Sequence, residues 1–231
     1  LVASVQLHTN DLIPVGDWIE LPQLNANGDV VDLALHTVKV QHFDKTITAI
    51  PTWRLINESF VNWRGMQESG GRRIMRALLL DQTTIRFLSP EEREALRRFA
   101  LLDIYLDGKA RELETWNESL VRSGRDPVNT RRLTNVGTFR AYMEAYLKVH
   151  PGVAKEKTLM VRQLAPTPEG LPIEVYCFAN TVEWNAYEAI QSDLFDHFLS
   201  ILPEFDLRLF QAPTGRDMRA VAEGMRAVPE A

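Results

Sequence analysis

Five histidines, His8, His36, His42, His150 and His197, are the side chains best placed to bind a metal or move a proton. None forms a metal-ligand set at the spacing that a site on one helix needs. His197 lies beside Asp193 and Asp196, and that group reads as a solvated helix face. Cys177 is the only cysteine, which excludes an internal disulfide and suits a reducing compartment. It stands between Tyr176 and Phe178 in an apolar run, the setting of a buried, inert thiol. Gly70-Gly71 followed by Arg72, Arg73 and Arg76 could cradle a phosphate. It lacks the Lys-Ser/Thr of a P-loop and does not sit between a strand and a helix, so Arg64 to Arg76 reads as a flexible inter-domain linker. There is no Gly-x-Ser-x-Gly elbow and no dinucleotide fingerprint. No catalytic, cofactor-binding or metal-binding residue is assigned, no cofactor is called for, and the chain is not expected to be an enzyme.

The chain has 231 residues, 45% of them hydrophobic and 25% charged, enough for two small cores. A net charge of −5 argues against nucleic-acid binding. No apolar run approaches the ~18–20 residues that cross a bilayer, and there is no signal peptide. The first residue is Leu1, not methionine, which carries the expectation that the chain is part of something longer.

From Val15 to Trp63 every apolar run is short, rich in Val, Ile and aromatics, and bounded by Gly, Pro, Asn or Asp. That pattern predicts four or five short strands curled into a small barrel. Val38 and Val40 alternate with Thr37, Lys39 and Gln41, as a half-buried strand requires. Asp44-Lys45 reads as a hairpin turn, and Pro51 as a strand end.

Beyond the glycine pair, Ile74 to Phe87 reads as a strand. Ser89-Pro90-Glu91-Glu92 then carries a helix cap, proline in the first turn, and a glutamate that can close a capping box. Leu96, Phe99, Leu106 and Leu113 continue at helical spacing, which predicts a packed helix to about Arg122 with a break near Gly108. A second helix opens at Gly137-Thr138 and stops at His150-Pro151-Gly152. Two strands, Thr158 to Leu164 and Leu171 to Ala179, follow. A third helix has Asn180 as its cap and an apolar stripe from Trp184 to Ile201. Phe205, Leu207 and Leu209 alternate as a last strand. The order after residue 72 is therefore the split βαβ, or ferredoxin-like, pattern. A short helix around Met218, Val221 and Met225 is the most the tail would hold.

The first stretch carries Gly16-Asp17-Trp18-Ile19, Gly28-Asp29-Val30, Thr37-Val38-Lys39-Val40, Phe43-Asp44, Ile50-Pro51 and Asn62-Trp63 in that order. This ordered set resembles the β domain of the small-conductance mechanosensitive ion channel family. It departs at Asp44-Lys45, where the family has Asp-Gly, and at Pro51-Thr52, where it has Pro-Asn; the resemblance is to a divergent, mini-conductance-type bacterial member. It returns over the last ninety residues. It implies an α+β protein, with a small Sm-like β barrel followed by a ferredoxin-like α/β domain. The divisions are residues 1–12 as the end of a pore-lining helix or a linker, 13–64 as the β domain, 65–210 as the α/β domain, and 211–231 as a C-terminal tail. Residues 89–136 are then a helical insertion.

The resemblance further implies the cytoplasmic region of a channel subunit in a bacterial inner membrane, opened by tension during hypo-osmotic shock. Its partners would be identical subunits in a ring, seven by family likeness, with the membrane reached through upstream helices and no nucleic acid bound. Two other readings compete. Barrel and ferredoxin-like units occur in RNA-binding proteins, where Tyr176 and Phe178 could stack bases. Ferredoxin-like units also serve as small-molecule-binding regulatory modules.

Overall fold

Short Ile- and Val-rich runs with polar residues between them give the first part of the chain its sheet. The computed structural model describes residues 13–212 together with Gly215. The expectations for residues 1–12 and for a helix around Met218, Val221 and Met225 lie outside these. The protein is α+β and divides into two units, Leu1–Arg72 and Arg73–Ala231.

In the first unit the strands are β1 (Trp18–Leu21), β2 (Ala26–Leu33), β3 (Thr37–His42), β4 (Ile47–Pro51) and β5 (Val61–Asn62). They pair antiparallel in the order β4-β3-β2-β1-β5. Val30 lies opposite Val40, and both are buried with Ile19, Leu21, Val38 and Ile50. Lys39 faces outward and pairs with Asp32 at 2.8 Å. At the β3–β4 hairpin the Asp44 carboxylate accepts from the Thr46 amide at 2.9 Å, and Lys45 takes the left-handed backbone with φ 74°. The sequence suggested strands alone up to Trp63. Instead, Pro51 ends its ladder and a helix, α1 (Thr52–Asn57), follows with Leu55 in the core.

The stretch from Arg64 to Arg76, read as a flexible inter-domain linker, does hold the division between the two units, after Arg72, but it has regular structure of its own. It forms a short helix, α2 (Arg64–Glu68), and β6 (Arg72–Leu80) begins directly after Gly71. That strand stops short of Phe87, because the Asp81 carboxylate accepts from the Thr83 amide and starts a 3-10 turn at Gln82–Thr84.

In the second unit β6 joins β8 (Leu171–Ala179) and β7 (Met160–Gln163) in the order β6-β8-β7. Leu209 adds an antiparallel bridge to Leu80 on the outer edge of β6. The expected last strand is reduced to that bridge. Phe205 belongs to a 3-10 turn, and Asp206 at φ 51° breaks the extended path.

The capping box forms as its residues dictate. Ser89 Oγ accepts from the Glu92 amide at 3.2 Å, and Glu92 Oε2 accepts from the Ser89 amide at 2.8 Å, opening α3 (Pro90–Ala95). Ser89→Ala should therefore lower stability by about 1 kcal/mol in urea unfolding. The helix does not run on unbroken. Two 3-10 turns, Leu96–Arg98 and Ala100–Leu102, precede α4 (Asp103–Arg122), and Gly108 lies inside α4. The break falls at Phe99 (φ −89°, ψ 97°), whose ring stacks on Phe205 at 5.6 Å. Tertiary packing thus overrides a continuous apolar stripe.

Helix α5 (Asn135–Val149) starts two residues before Gly137, capped by Thr134. Helix α6 (Trp184–Ile201) is capped by Glu183, which accepts from the Asn185 and Ala186 amides. Asn180, the expected cap, instead donates to the Pro151 carbonyl at 2.9 Å. Phe139, Met143 and Leu147 of α5 and Leu194 and Phe198 of α6 meet Ile74, Ile173, Val175 and Cys177 of the sheet in one core, joined by Leu96, Leu102, Leu106 and Leu113.

Candidate functional site

In the first unit a carboxylate is held where strand β1 begins. Asp17 is 8% exposed and accepts from Asn62 Nδ2 at 2.6 Å and from Arg64 Nη2 at 2.7 Å. Arg64 Nε adds contacts of 3.1 and 3.0 Å to the two carboxylate oxygens, a bidentate fork. The Asn62 side chain in turn accepts from the Arg64 amide at 2.9 Å. Trp18 stacks on Trp63 at 4.7 Å, donates to Asn27 at 2.7 Å, and lies under the Arg72 guanidinium at 5.6 Å. These contacts tie the opening of the β unit to its end. With every charge paired, the cluster serves to hold shape rather than to transfer protons. Nothing local in the sequence marks it, since Asp17 and Arg64 lie 47 positions apart.

The imidazoles of the second unit form an aromatic stack. His197 lies flat on Tyr146, with ring centroids 4.0 Å apart and planes 7° from parallel, and its Nε2 is 2.8 Å from the Tyr142 hydroxyl. Burial pushes its pKa below the ordinary imidazole value, while Asp193 opposes that shift. It is half-buried, so the reading of a solvated helix face was mistaken for this ring. Asp193 turns instead to His150 Nε2 at 2.9 Å. His42 Nε2 lies 2.7 Å from Thr48 Oγ1, and His36 is exposed. Among the described residues no group of three His, Cys, Asp or Glu side chains is placed to hold a metal ion.

Arg86 is the hub of an exposed ion network. Its Nη1 donates to Glu92 at 2.8 Å and its Nε to Asp206 at 3.0 Å. Arg98 and Glu204 pair nearby, across a 160 Å³ cavity lined also by Leu88, Leu96 and Phe205. The charges around that cavity satisfy one another, which leaves an ordinary surface dimple. The Arg86 guanidinium, helped by the Ser89 amide, holds the Glu92 carboxyl down at about 2, below its ordinary 4.5. A depressed carboxyl pKa contributes stability that is full above about pH 4.5 and fades as pH falls toward 2. Urea midpoints should therefore fall across that window, and Glu92→Gln should flatten this part of the profile. A variant with an unchanged acid limb would contradict the pairing.

Cys177 is fully buried, and burial pushes its thiol up to about 12, so it is no nucleophile at neutral pH. Of the arginines after the glycine pair, Arg73 lies 5.8 Å over the Tyr176 ring and Arg76 lies 4.5 Å over Phe195. Both stand on one strand, on opposite faces, and form no cradle. Among the described residues no helix is long and apolar enough to cross a membrane.

Residues 1–65 match the family described as "Mechanosensitive ion channel, beta-domain", and residues 144–209 match "Mechanosensitive ion channel MscS, C-terminal". Residues 66–143, which contain α3 and α4, lie in neither match. An uncharacterized MscS family protein of Helicobacter pylori is 22% identical over 210 residues, which is 89% of this chain and 29% of that protein. The chain thus spans under a third of that relative's length. Among solved structures, the cryo-EM structure of Arabidopsis thaliana MSL1 superposes with a TM-score of 0.60 at 11% identity, covering 92% of this chain and 58% of that one. The crystal structure of Helicobacter pylori MscS in its closed state gives 0.55 at 11% identity, covering 93% and 63%. At such identity the superpositions speak to fold alone.

Proposed function

The chain belongs to the MscS family of mechanosensitive ion channels, and from that premise we propose that it is the cytoplasmic region of a channel subunit. The observation that carries this reading is the order of the matches, with the β domain first and the C-terminal domain after it, in one chain. The pore would be formed by helices upstream of Leu1, in the inner membrane of a bacterium. The channel would open when tension stretches the membrane during hypo-osmotic shock.

We read residues 13–64 as the β domain, 65–210 as the α/β domain with its insertion at 89–136, and 211–231 as a tail. The five antiparallel strands of the first unit support an Sm-like barrel. The order Leu209-β6-β8-β7 supports a ferredoxin-like second domain. Tension biases opening only where it acts differently on closed and open states. This region then supports the ring and tunes gating, while the sensor lies in the membrane. We assign it no catalytic role.

Identical subunits would close a ring around one axis, seven of them by family likeness. Native mass spectrometry of the detergent-solubilised full-length protein should give a seven-subunit mass. A monomer as the sole species would count against the ring.

A further inference from the structure

Helix α5 ends on His150 as its C-cap, and the turn His150-Pro151-Gly152 joins three elements. The Gly152 amide donates to His150 Nδ1 at 3.1 Å. The Gly152 carbonyl accepts from the Asn180 amide, and the Pro151 carbonyl from Asn180 Nδ2, both at 2.9 Å. Val153 adds a bridge to Ala179, so the turn is tied to the end of β8. On the other side Ile190 of α6 packs so closely that a Cβ on Gly152 would stand 2.8 Å from it. What holds the Gly152 amide therefore holds α5, β8 and α6 together.

That amide also settles which nitrogen of the ring carries the proton. A backbone N–H only donates, so Nδ1 is the bare, accepting nitrogen and the one proton sits on Nε2. There it is donated to Asp193 Oδ2 at 2.9 Å. A second proton has only Nδ1 to go to, where it would set one N–H against another. His150 is 9% exposed, yet Asp193 keeps most of its side chain in solvent, so the pair is open to water on one side. The carboxylate draws the second proton in, and the amide opposes it. Three other titratable groups face the ring. Tyr146 of α5 has its ring centroid 5.7 Å away, and His197 of α6 stacks on Tyr146. Lys155 Nζ donates to the His150 carbonyl and, at 2.8 Å, to that of Leu147. The lysine, when charged, opposes the second proton as well.

We propose that His150 is a proton-operated latch: a second proton, taken up at Nδ1, releases the Gly152 amide and loosens the joint between α5, β8 and α6. The imidazolium keeps its bond to Asp193, so the ring stays in place while the turn lets go. The latch lies within the second unit and does not depend on the ring or channel reading.

The test uses the full-length protein in detergent, with hydrogen exchange read by mass spectrometry from pH 8 to pH 5, the span over which imidazoles gain charge. Slow exchange at the imidazole C2 follows each histidine, and fragmentation resolves single amides. After correction for the intrinsic pH dependence, the Gly152 amide should exchange about fivefold faster or more once His150 is charged, and the Asn180 amide should follow it. His150→Asn sets an oxygen acceptor near the place of Nδ1 that takes up no proton in this range. Gly152 should then stay protected throughout. Asp193→Asn, at an exposed position, serves also if that variant fails to fold. It removes the charge that draws the proton in, so the Gly152 change should move to lower pH. Gly152 protection that holds while His150 charges would overturn the latch. So would an equal acid response in His150→Asn, or a His150 that stays neutral down to pH 5.

Discussion

Gly28→Ala is expected to unfold the β unit at temperatures where the natural chain is folded. Gly28 sits in β2 between β1, where it faces Ile19, and β3, where it faces His42. A Cβ there would stand 2.0 Å from the Gln41 carbonyl oxygen, 2.6 Å from its carbon and 2.8 Å from the His42 Cα. These are backbone atoms of a paired strand, so no side-chain rotation relieves the clash. Either β3 moves away and loses its ladder, or β2 bulges and shifts its register against β3. A cost of about 4 kcal/mol or more follows, at the top of the range for single substitutions. Gly65→Ala is the control. Nothing lies within 4 Å of the added carbon, and the site is in α2, so stability should hold or rise by up to about 1 kcal/mol. Urea unfolding of both variants decides it, and a Gly28→Ala loss under 1 kcal/mol would contradict the close strand approach.

Phe198→Ala should cost the second unit about 3–5 kcal/mol. Its ring is fully buried and touches Tyr146 at 5.5 Å and Phe195 at 6.1 Å. Removing it opens a void between α5, α6 and the sheet, which the close-packed neighbours cannot fill without leaving their rotamers. The His197–Tyr146 stack beside it should loosen too, seen as a rise of the His197 pKa toward its ordinary value in NMR titration. Preserved stability would mean that the core collapses around the gap more readily than the packing indicates.

Local rules made part of this fold legible. Ser89-Pro90-Glu91-Glu92 announces its capping box in four residues, and Leu171–Ala179 forms a strand over the span that its composition predicts. What stayed hidden depends on distant partners. Phe99 breaks the insertion helix because Phe205, far along the chain, offers its ring a place. Asp206 interrupts the expected last strand by adopting a left-handed backbone, which its neighbours Phe205 and Leu207 gave no reason to expect. The stretch from Arg64 to Arg76 read as a flexible inter-domain linker, yet Arg64 closes on Asp17 and Arg73 lies over Tyr176. At the functional level, the ordered short motifs of the first sixty-five residues carried the family. The second family match required the strands and helices after the insertion as well.

The central claim is that this chain is the cytoplasmic part of a tension-gated channel. The most direct measurement is patch-clamp recording on membranes expressing the full-length protein, with suction applied in steps. The account predicts a current that appears only under suction, and at a lower pressure threshold or with altered closing once Gly28→Ala has disrupted the supporting β unit. If the full-length protein reaches the membrane but adds no pressure-dependent current, under conditions where a known channel of the family conducts, the claim is contradicted.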